Sequence, residues 1–190
     1  MARAIVVTGT PGVGKTSLAR GLARKLGLQL IDVGVLVKQE KLYASYDRMR
    51  GSYVIDERLV RGALRKMLGK GSVLATHSLG RILPCDSVSL AIVLRLDPLA
   101  LYRRLRAEGW TRRKAWENVE SELLDGCYFD AVKLLGRRRV LEINTTGKSK
   151  LRVLGEALRM VEKRTTNPRR RVDWLKVYDP ILLGRRLGVG

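Results

Sequence analysis

The stretch "VVTGTPGVGKTSLA", Val6 to Ala19, decides the fold. Inside it, Gly9-Thr10-Pro11-Gly12-Val13-Gly14-Lys15-Thr16 matches G-x-x-x-x-G-K-[ST] at every fixed position. Before it, Ala4-Ile5-Val6-Val7 is the short apolar, β-branched run of a buried parallel strand. After it, Leu18, Leu22 and Leu26 recur at helical spacing, with Arg20, Arg24 and Lys25 on other faces. A strand, a glycine loop and a helix start aim backbone N–H groups at one point, which suits a polyphosphate. Glycine lets the backbone approach the phosphates closely. Lys15 is expected to reach the β- and γ-phosphates of a nucleoside triphosphate, and the Thr16 hydroxyl to ligate Mg²⁺.

With 190 residues the chain suffices for one α/β domain with a sizeable core. Its 38 Lys and Arg against 18 Asp and Glu give a net charge of +20, which points to an anionic polymer as partner. A thermophile's charged surface accounts for only part of this, because that habit adds both signs. Cys85 and Cys127 form neither a C-x-x-C pair nor a zinc pattern and suit a reducing interior. No apolar run approaches the ~18 residues of a membrane span, and the amino terminus lacks a signal-peptide layout. A soluble, cytoplasmic protein with no membrane partner is expected.

Strand and helix signals alternate along the chain. Leu28–Ile31, Ser72–His77, Leu90–Leu94 and Val140–Ile143 read as further strands. Asp56 reads as the cap of a helix closed by Gly69 and Gly71, and Asp97-Pro98 as cap and first turn of another that stops at Gly109. Residues 111–135 read as largely helical, and 149–163 as the closing helix. Residues 34–53 show no clean period and read as a helical insertion or mobile arm. Alternating strands and helices imply a parallel sheet covered on both faces. From Arg164 the chain carries seven Lys or Arg and two Asp, with Pro168 and Pro180 as helix breakers, and reads as an appendage outside the core.

Taken in order, "TGTPGVGKTSLA", "LQLIDVGVL" with "LYASYD", "VIDERLV", "THS", "LRLDPLALYRRLRAEGW" and "NVESEL" resemble the adenylate kinase 6 family of archaea and eukaryotes. Its members are adenylate-kinase-like P-loop ATPases that assist small-ribosomal-subunit assembly, and the resemblance runs from about Ala4 to Lys163. It implies an α/β fold of the P-loop NTPase, nucleoside-monophosphate-kinase-like type, with a doubly wound five-stranded parallel sheet. A domain over 1–163 would carry a nucleoside-monophosphate-binding arm at about 34–53 and a short lid at about 109–118. Residues 164–190 would be a basic C-terminal extension. The implied activity is transfer from ATP to AMP with a separable ATPase. The implied partners are ribosomal protein uS11 and 16S-type rRNA, whose maturation it would assist.

By position, the resemblance puts Gly12, Val13, Gly14, Lys15, Thr16 and Ser17 on the ATP phosphates, Thr16 on Mg²⁺, and Lys148 beside the adenine. His77 falls on the histidine of the family's Asp-x-His motif. Three positions depart: the motif's Asp is Ala75, the lid arginine is Glu108, and an acidic residue of the first arm helix is Val35. Losing one charged contributor to a transition state commonly costs several kcal/mol. Asp32 or Asp97 would then supply an oxygen near Mg²⁺, and Arg112 or Arg113 would replace the lid arginine.

His77, the only histidine, is expected at the sheet edge that carries the phosphate loop, where such folds place ligands. There it would orient water or an acceptor oxygen. The catalytic set is thus Lys15, His77 and Arg112, with Arg95 expected nearby. Arg103, Arg104, Arg106, Arg112, Arg113 and Lys114 cluster around the lid. Trp110, Trp116 and Trp174 are candidates for stacking on bases, although Trp116 also fits a core position. Arg169-Arg170-Arg171 with Trp174 and Tyr178 suits RNA. If about six phosphates are neutralised, the log–log salt slope on single strands would be about −4. Two functions fit these features: an adenylate kinase with ATPase activity in subunit assembly, or a nucleotide-gated module binding RNA or a ribosomal protein with weak turnover. A kinase for another small acceptor remains open.

Overall fold

The computed structural model describes residues 4–47, 52–68, 71–163 and 172–189, with Ser52 by its backbone alone. The strand before the loop, β1 (Ala4–Thr8), is buried along its whole length. It lies at the centre of a parallel sheet with β2 (Gln29–Asp32), β5 (Ser72–Ala75), β6 (Val88–Arg95) and β7 (Val140–Asn144), in the order β2-β5-β1-β6-β7. Because a strand's side chains alternate, Ile5 and Val7 enter one apolar cluster while Ala4 and Val6 enter the other.

Helices cover both faces. α1 (Lys15–Leu26), α4 (Pro98–Ala107), α5 (Arg112–Leu123) and α7 (Lys150–Lys163) supply Leu18, Leu22, Leu101, Leu105, Val119 and Ala157 to the first cluster. α2 (Val33–Gln39), α3 (Glu57–Met67) and α6 (Gly126–Leu135) supply Leu36, Val60, Leu64 and Ala131 to the second. The expected doubly wound five-stranded sheet is present.

Local chemistry explains several boundaries. Asp56 Oδ1 accepts from the Arg58 and Leu59 N–H groups at 3.0 and 3.1 Å and caps α3. That helix ends at Met67 with Leu68 as its C-cap; Gly69 lies outside the described residues. Asp97 Oδ1 accepts from Ala100 N at 2.9 Å, with Pro98 at the first position of α4.

The 111–135 region is two helices. At Asp125 the backbone turns left-handed (φ 56°), and the chain passes from the face covered by α5 to that covered by α6. Residues 34–53 also differ from the helical expectation. The short α2 is followed by an antiparallel pair, β3 (Tyr43–Asp47) and β4 (Ser52–Ile55). Tyr43 and Tyr46 pack on Tyr53 with ring centroids 4.4 and 5.1 Å apart, and a register shift between Tyr43 and Ser45 masks the period-two pattern.

The carboxyl-terminal segment corrects the reading of it as an appendage. Trp174 and Leu183 are buried in the first cluster. Pro180 opens α8 (Pro180–Leu187) rather than breaking a helix, and Asp179 caps it through Ile181 N and Leu182 N. Gly184 allows α8 to lie on Trp116: a Cβ there would stand 3.2 Å from the indole. Pro168 lies outside the described residues.

Candidate active site

The phosphate loop depends on backbone that only glycine supplies cheaply. Gly9 has φ 140°, and a Cβ on it would meet the Leu94 carbonyl oxygen at 2.5 Å. Gly14 stands at the N-cap of α1 with φ 101° and has no side chain to occupy the helix's free N–H groups. Those donors and the positive end of the helix dipole face the loop interior.

Lys15 Nζ donates to the Thr10 carbonyl at 3.0 Å. Burial pushes its pKa down to about 8, against the opposing pull of Cys127, Asp32 and Glu122. An ammonium this weakly solvated is ready to exchange its carbonyl partner for a phosphate oxygen. Beside it, Thr16 Oγ1 donates to Asp32 Oδ2 at 2.9 Å. Asp32 pairs with Ala75 in the sheet register, so its carboxylate stands one strand away from the missing acid. The Thr16 hydroxyl and this carboxylate are hard oxygen donors of the kind Mg²⁺ prefers. Among the described residues no cluster of three or more His, Cys, Asp or Glu gathers, and a Mg²⁺ ion held by Thr16 and Asp32 would fill its remaining positions with phosphate oxygens and water.

His77 follows β5 at the same edge. Although its side chain reaches solvent, surrounding protein and then Lys15 lower its pKa from the usual histidine value, against Asp32. The neutral imidazole is therefore favoured. The Cys127 thiol lies 3.8 Å from the His77 carbonyl oxygen, and burial raises its pKa.

On the other side of the loop, a cleft with about 470 Å³ of empty space, open to solvent, is lined by Ser17, Leu94, Arg104, Thr145, Lys148 and Val153. Its mix of apolar wall with a few cations suits a ligand that joins an apolar base to anionic groups. Lys148 Nζ pairs with Glu156 Oε2 at 2.6 Å, and Arg104 Nη1 donates to the Gly12 carbonyl at 2.7 Å. Of the expected phosphate contacts, Val13, Gly14 and Ser17 line this cleft, as does Lys148, the expected adenine neighbour.

A family model described as an AAA domain matches residues 5–125. A Pyrococcus furiosus protein named "Putative adenylate kinase" is 35% identical over 192 residues, covering 97% of this chain and 98% of its own. Proteins of the same name from Saccharolobus islandicus and Methanothermobacter thermautotrophicus are 34% identical over 171 residues and 41% over 145. They cover 90% and 76% of this chain, and 87% and 81% of their own. The chain belongs to an adenylate-kinase-like family. Among solved structures, a shikimate kinase from Acinetobacter baumannii shares the fold at 15% identity and a TM-score of 0.62, covering 87% of this chain and 96% of its own. A sugar kinase from Janibacter does so at 17% and 0.55, covering 88% and 97%.

Several side chains of this adenylate-kinase-like chain stand elsewhere than the sequence suggested. Arg95 is 1% exposed and does not face the groove. It pairs with Glu122 at 2.7 Å, Glu142 at 2.8 Å and Asp125 at 2.5 Å. Burial alone would lower its pKa, but Glu122, Asp125 and Glu142 outweigh that and hold it above the ordinary arginine value. Asp97 is committed to capping α4 and to the Tyr178 hydroxyl, so among the two acids considered for Mg²⁺ only Asp32 reaches Thr16.

Trp174 is buried, with its indole N–H on Glu122 Oε1 at 3.1 Å, and has no face free for a base. Arg112 is exposed, and its Nη1 would stand 3.6 Å from a Cβ on Gly188; the arginine on the loop itself is Arg104. Arg169, Arg170 and Arg171 lie outside the described residues.

Residues 109–118 consist of one turn, with Gly109 left-handed (φ 85°), and the start of α5, capped by Thr111 on Lys114 N at 3.3 Å. Sequence reasoning missed Glu122, which was visible only as a letter in "NVESEL". No helix among the described residues is long and apolar enough to cross a membrane.

Proposed function

We propose that this chain is a phosphotransferase that moves the γ-phosphoryl group of ATP to AMP, giving two ADP, and that hydrolyses ATP when water takes the acceptor's place. The observation that carries the reading is the convergence of Lys15, the open N-terminus of α1 and the Thr16–Asp32 pair beside an open cleft with an apolar wall and cations. A phosphate oxygen of AMP attacks the γ-phosphorus, the bond to the β–γ bridging oxygen breaks, and ADP leaves. Such transfer needs positioning and charge neutralisation more than covalent chemistry.

In this reading the α1 N–H groups and Lys15 hold the phosphate tail, and Arg104 stabilises the loop from α4. Thr16 and Asp32 would hold Mg²⁺, which when bound neutralises charge on the β- and γ-phosphate oxygens. Neutral His77 would accept a hydrogen bond from the attacking water in the hydrolytic reaction. Lys148 would line the base, α2 with the β3–β4 hairpin would receive AMP, and Arg112 would act from the lid.

A finer assignment, to the adenylate kinase 6 family with a role in small-subunit assembly and 16S rRNA maturation, is supported by the ordered motifs and the net charge of +20. On that reading uS11 and rRNA are the partners and the cytoplasm is the site of action. The test is ADP formation from ATP plus AMP, compared with ATP alone and with uS11 added. Lys15→Met is expected to lower transfer at least about a hundredfold, consistent with loss of a charged transition-state contact.

Ala75, buried where the resemblance expects a carboxylate, favours a second reading as a nucleotide-gated binding module. Micromolar ATP binding with turnover below about one per minute, far under the about 1–100 s⁻¹ usual for kinases, would select it.

A further inference from the structure

A buried chain of hydrogen bonds links the phosphate loop to the carboxyl-terminal segment. Lys15 Nζ donates to the Thr10 carbonyl at 3.0 Å, and Thr10 Oγ1 donates to Glu122 Oε2 at 2.7 Å. The other carboxylate oxygen, Oε1, accepts from Arg95 Nε at 2.7 Å, Leu96 N at 3.2 Å and Trp174 Nε1 at 3.1 Å. Arg95 continues to Glu142, whose Oε2 accepts the Val172 N–H at 2.8 Å. Thr10, Glu122 and Trp174 are 1%, 2% and 7% exposed, so little water competes for these bonds.

We infer that Glu122 is a positioning residue of the phosphate site and that Trp174, in the carboxyl-terminal segment, holds it in place. A carboxylate removed from water is stable only where donors surround it, and its orientation is fixed by where they stand. Three donors hold Oε1, which aims Oε2 at Thr10. Thr10 in turn presents to Lys15 the carbonyl that restrains the ammonium. Filling the core would need only the ring of Trp174; its N–H is aimed at the carboxylate. The segment from Val172 to Val189 is therefore part of the ATP site without touching ATP, and a partner that lifts it off the domain loosens the loop. This rests on the loop being an ATP site, as proposed above, but not on AMP as acceptor.

The test is a titration of Mg·ATP by calorimetry into native protein, Trp174→Phe, Thr10→Val and the double variant, with thermal unfolding followed alongside. Phe keeps the buried ring and removes the donor. Each single change is expected to weaken ATP about three- to tenfold, the size of one hydrogen bond. The double variant should be no more than about twofold weaker than the weaker single, because both act through Glu122.

Effects that multiply, or a Trp174→Phe protein that melts lower yet binds ATP within about twofold of native, would reduce Trp174 to a core residue and overturn the inference. If Trp174→Phe does not fold, Glu122→Gln paired with Thr10→Val is read by the same criterion. A native chain that shows the coupling but makes no ADP from AMP would overturn the kinase reading and leave this one standing. A native chain that binds no ATP would overturn both.

Discussion

Thr16 Oγ1 donates a hydrogen bond to Asp32 Oδ2 at 2.9 Å, fastening the first turn of α1 to the end of β2. The other oxygen of the same carboxylate caps α2, accepting from Gly34 N at 3.0 Å and Val35 N at 3.3 Å. One side chain thus joins the glycine loop to α2.

Asp32→Asn keeps a good capping group and a neutral partner for Thr16 while removing the charge. We expect Mg²⁺-dependent phosphoryl transfer to fall at least about tenfold with little change in melting temperature. Asp32→Ala should lose a further ~1 kcal/mol of stability through the cap. Steady-state ADP formation across a Mg²⁺ titration, with urea unfolding of both variants, checks this.

Lys15 provides a pH signature. Its folded pKa of about 8 lies below the 10.5 of a free lysine, so between those values the unfolded chain binds more protons than the folded one. Its destabilising contribution is therefore full below pH 8 and disappears as pH rises past 10.5. Lys15→Met should abolish ATP binding yet raise the melting temperature of ATP-free protein at pH 7, and that gain should shrink toward pH 10.5. Calorimetry in buffers of different ionisation enthalpy should show native protein taking up protons on binding ATP above pH 8.

Arg104→Ala tests the tie between α4 and the loop. Loss of the 2.7 Å bond to the Gly12 carbonyl, and of a cation on the cleft wall, is expected to weaken ATP about three- to tenfold. Because the side chain is exposed, unfolding should move little. Equal effects on ATP and on ADP would place its influence away from the γ-phosphate.

Tyr178 docks the carboxyl-terminal segment by donating its hydroxyl to Asp97 Oδ2. Burial, then the hydrogen bond and the charge of Asp97, push its pKa up to about 12. A raised folded value means that the stabilisation is fully present below pH 10 and lost as pH rises through 12. Tyr178→Phe should cost about 0.5–1.5 kcal/mol at neutral pH and nothing at the alkaline end, measured by urea unfolding across that range.

The phosphate loop, β1 and the α1 face were legible because each is written in consecutive residues whose spacing carries the geometry. The caps at Asp56 and Asp97 were legible for the same reason. The hairpin was not, because an irregular register at Tyr43 to Ser45 breaks the alternation that betrays a strand. The surroundings of Arg95 were not, because its acidic partners lie between 27 and 47 residues away and meet only through the crossover of the sheet. A buried arginine and an exposed one look alike in a string of letters. The basic composition of the last stretch, which marks a solvated tail on average, concealed Trp174 and Leu183, whose few apolar contacts decide where it sits.

The burial of Trp174 has a consequence for biosynthesis. The glycine loop leaves the ribosome well before Trp174, whose indole reaches it through Glu122. If Trp174 positions Glu122 as inferred above, the loop gains its full support only once that indole has been made, and a chain cut before Trp174 would carry the whole nucleotide motif yet hold it loosely.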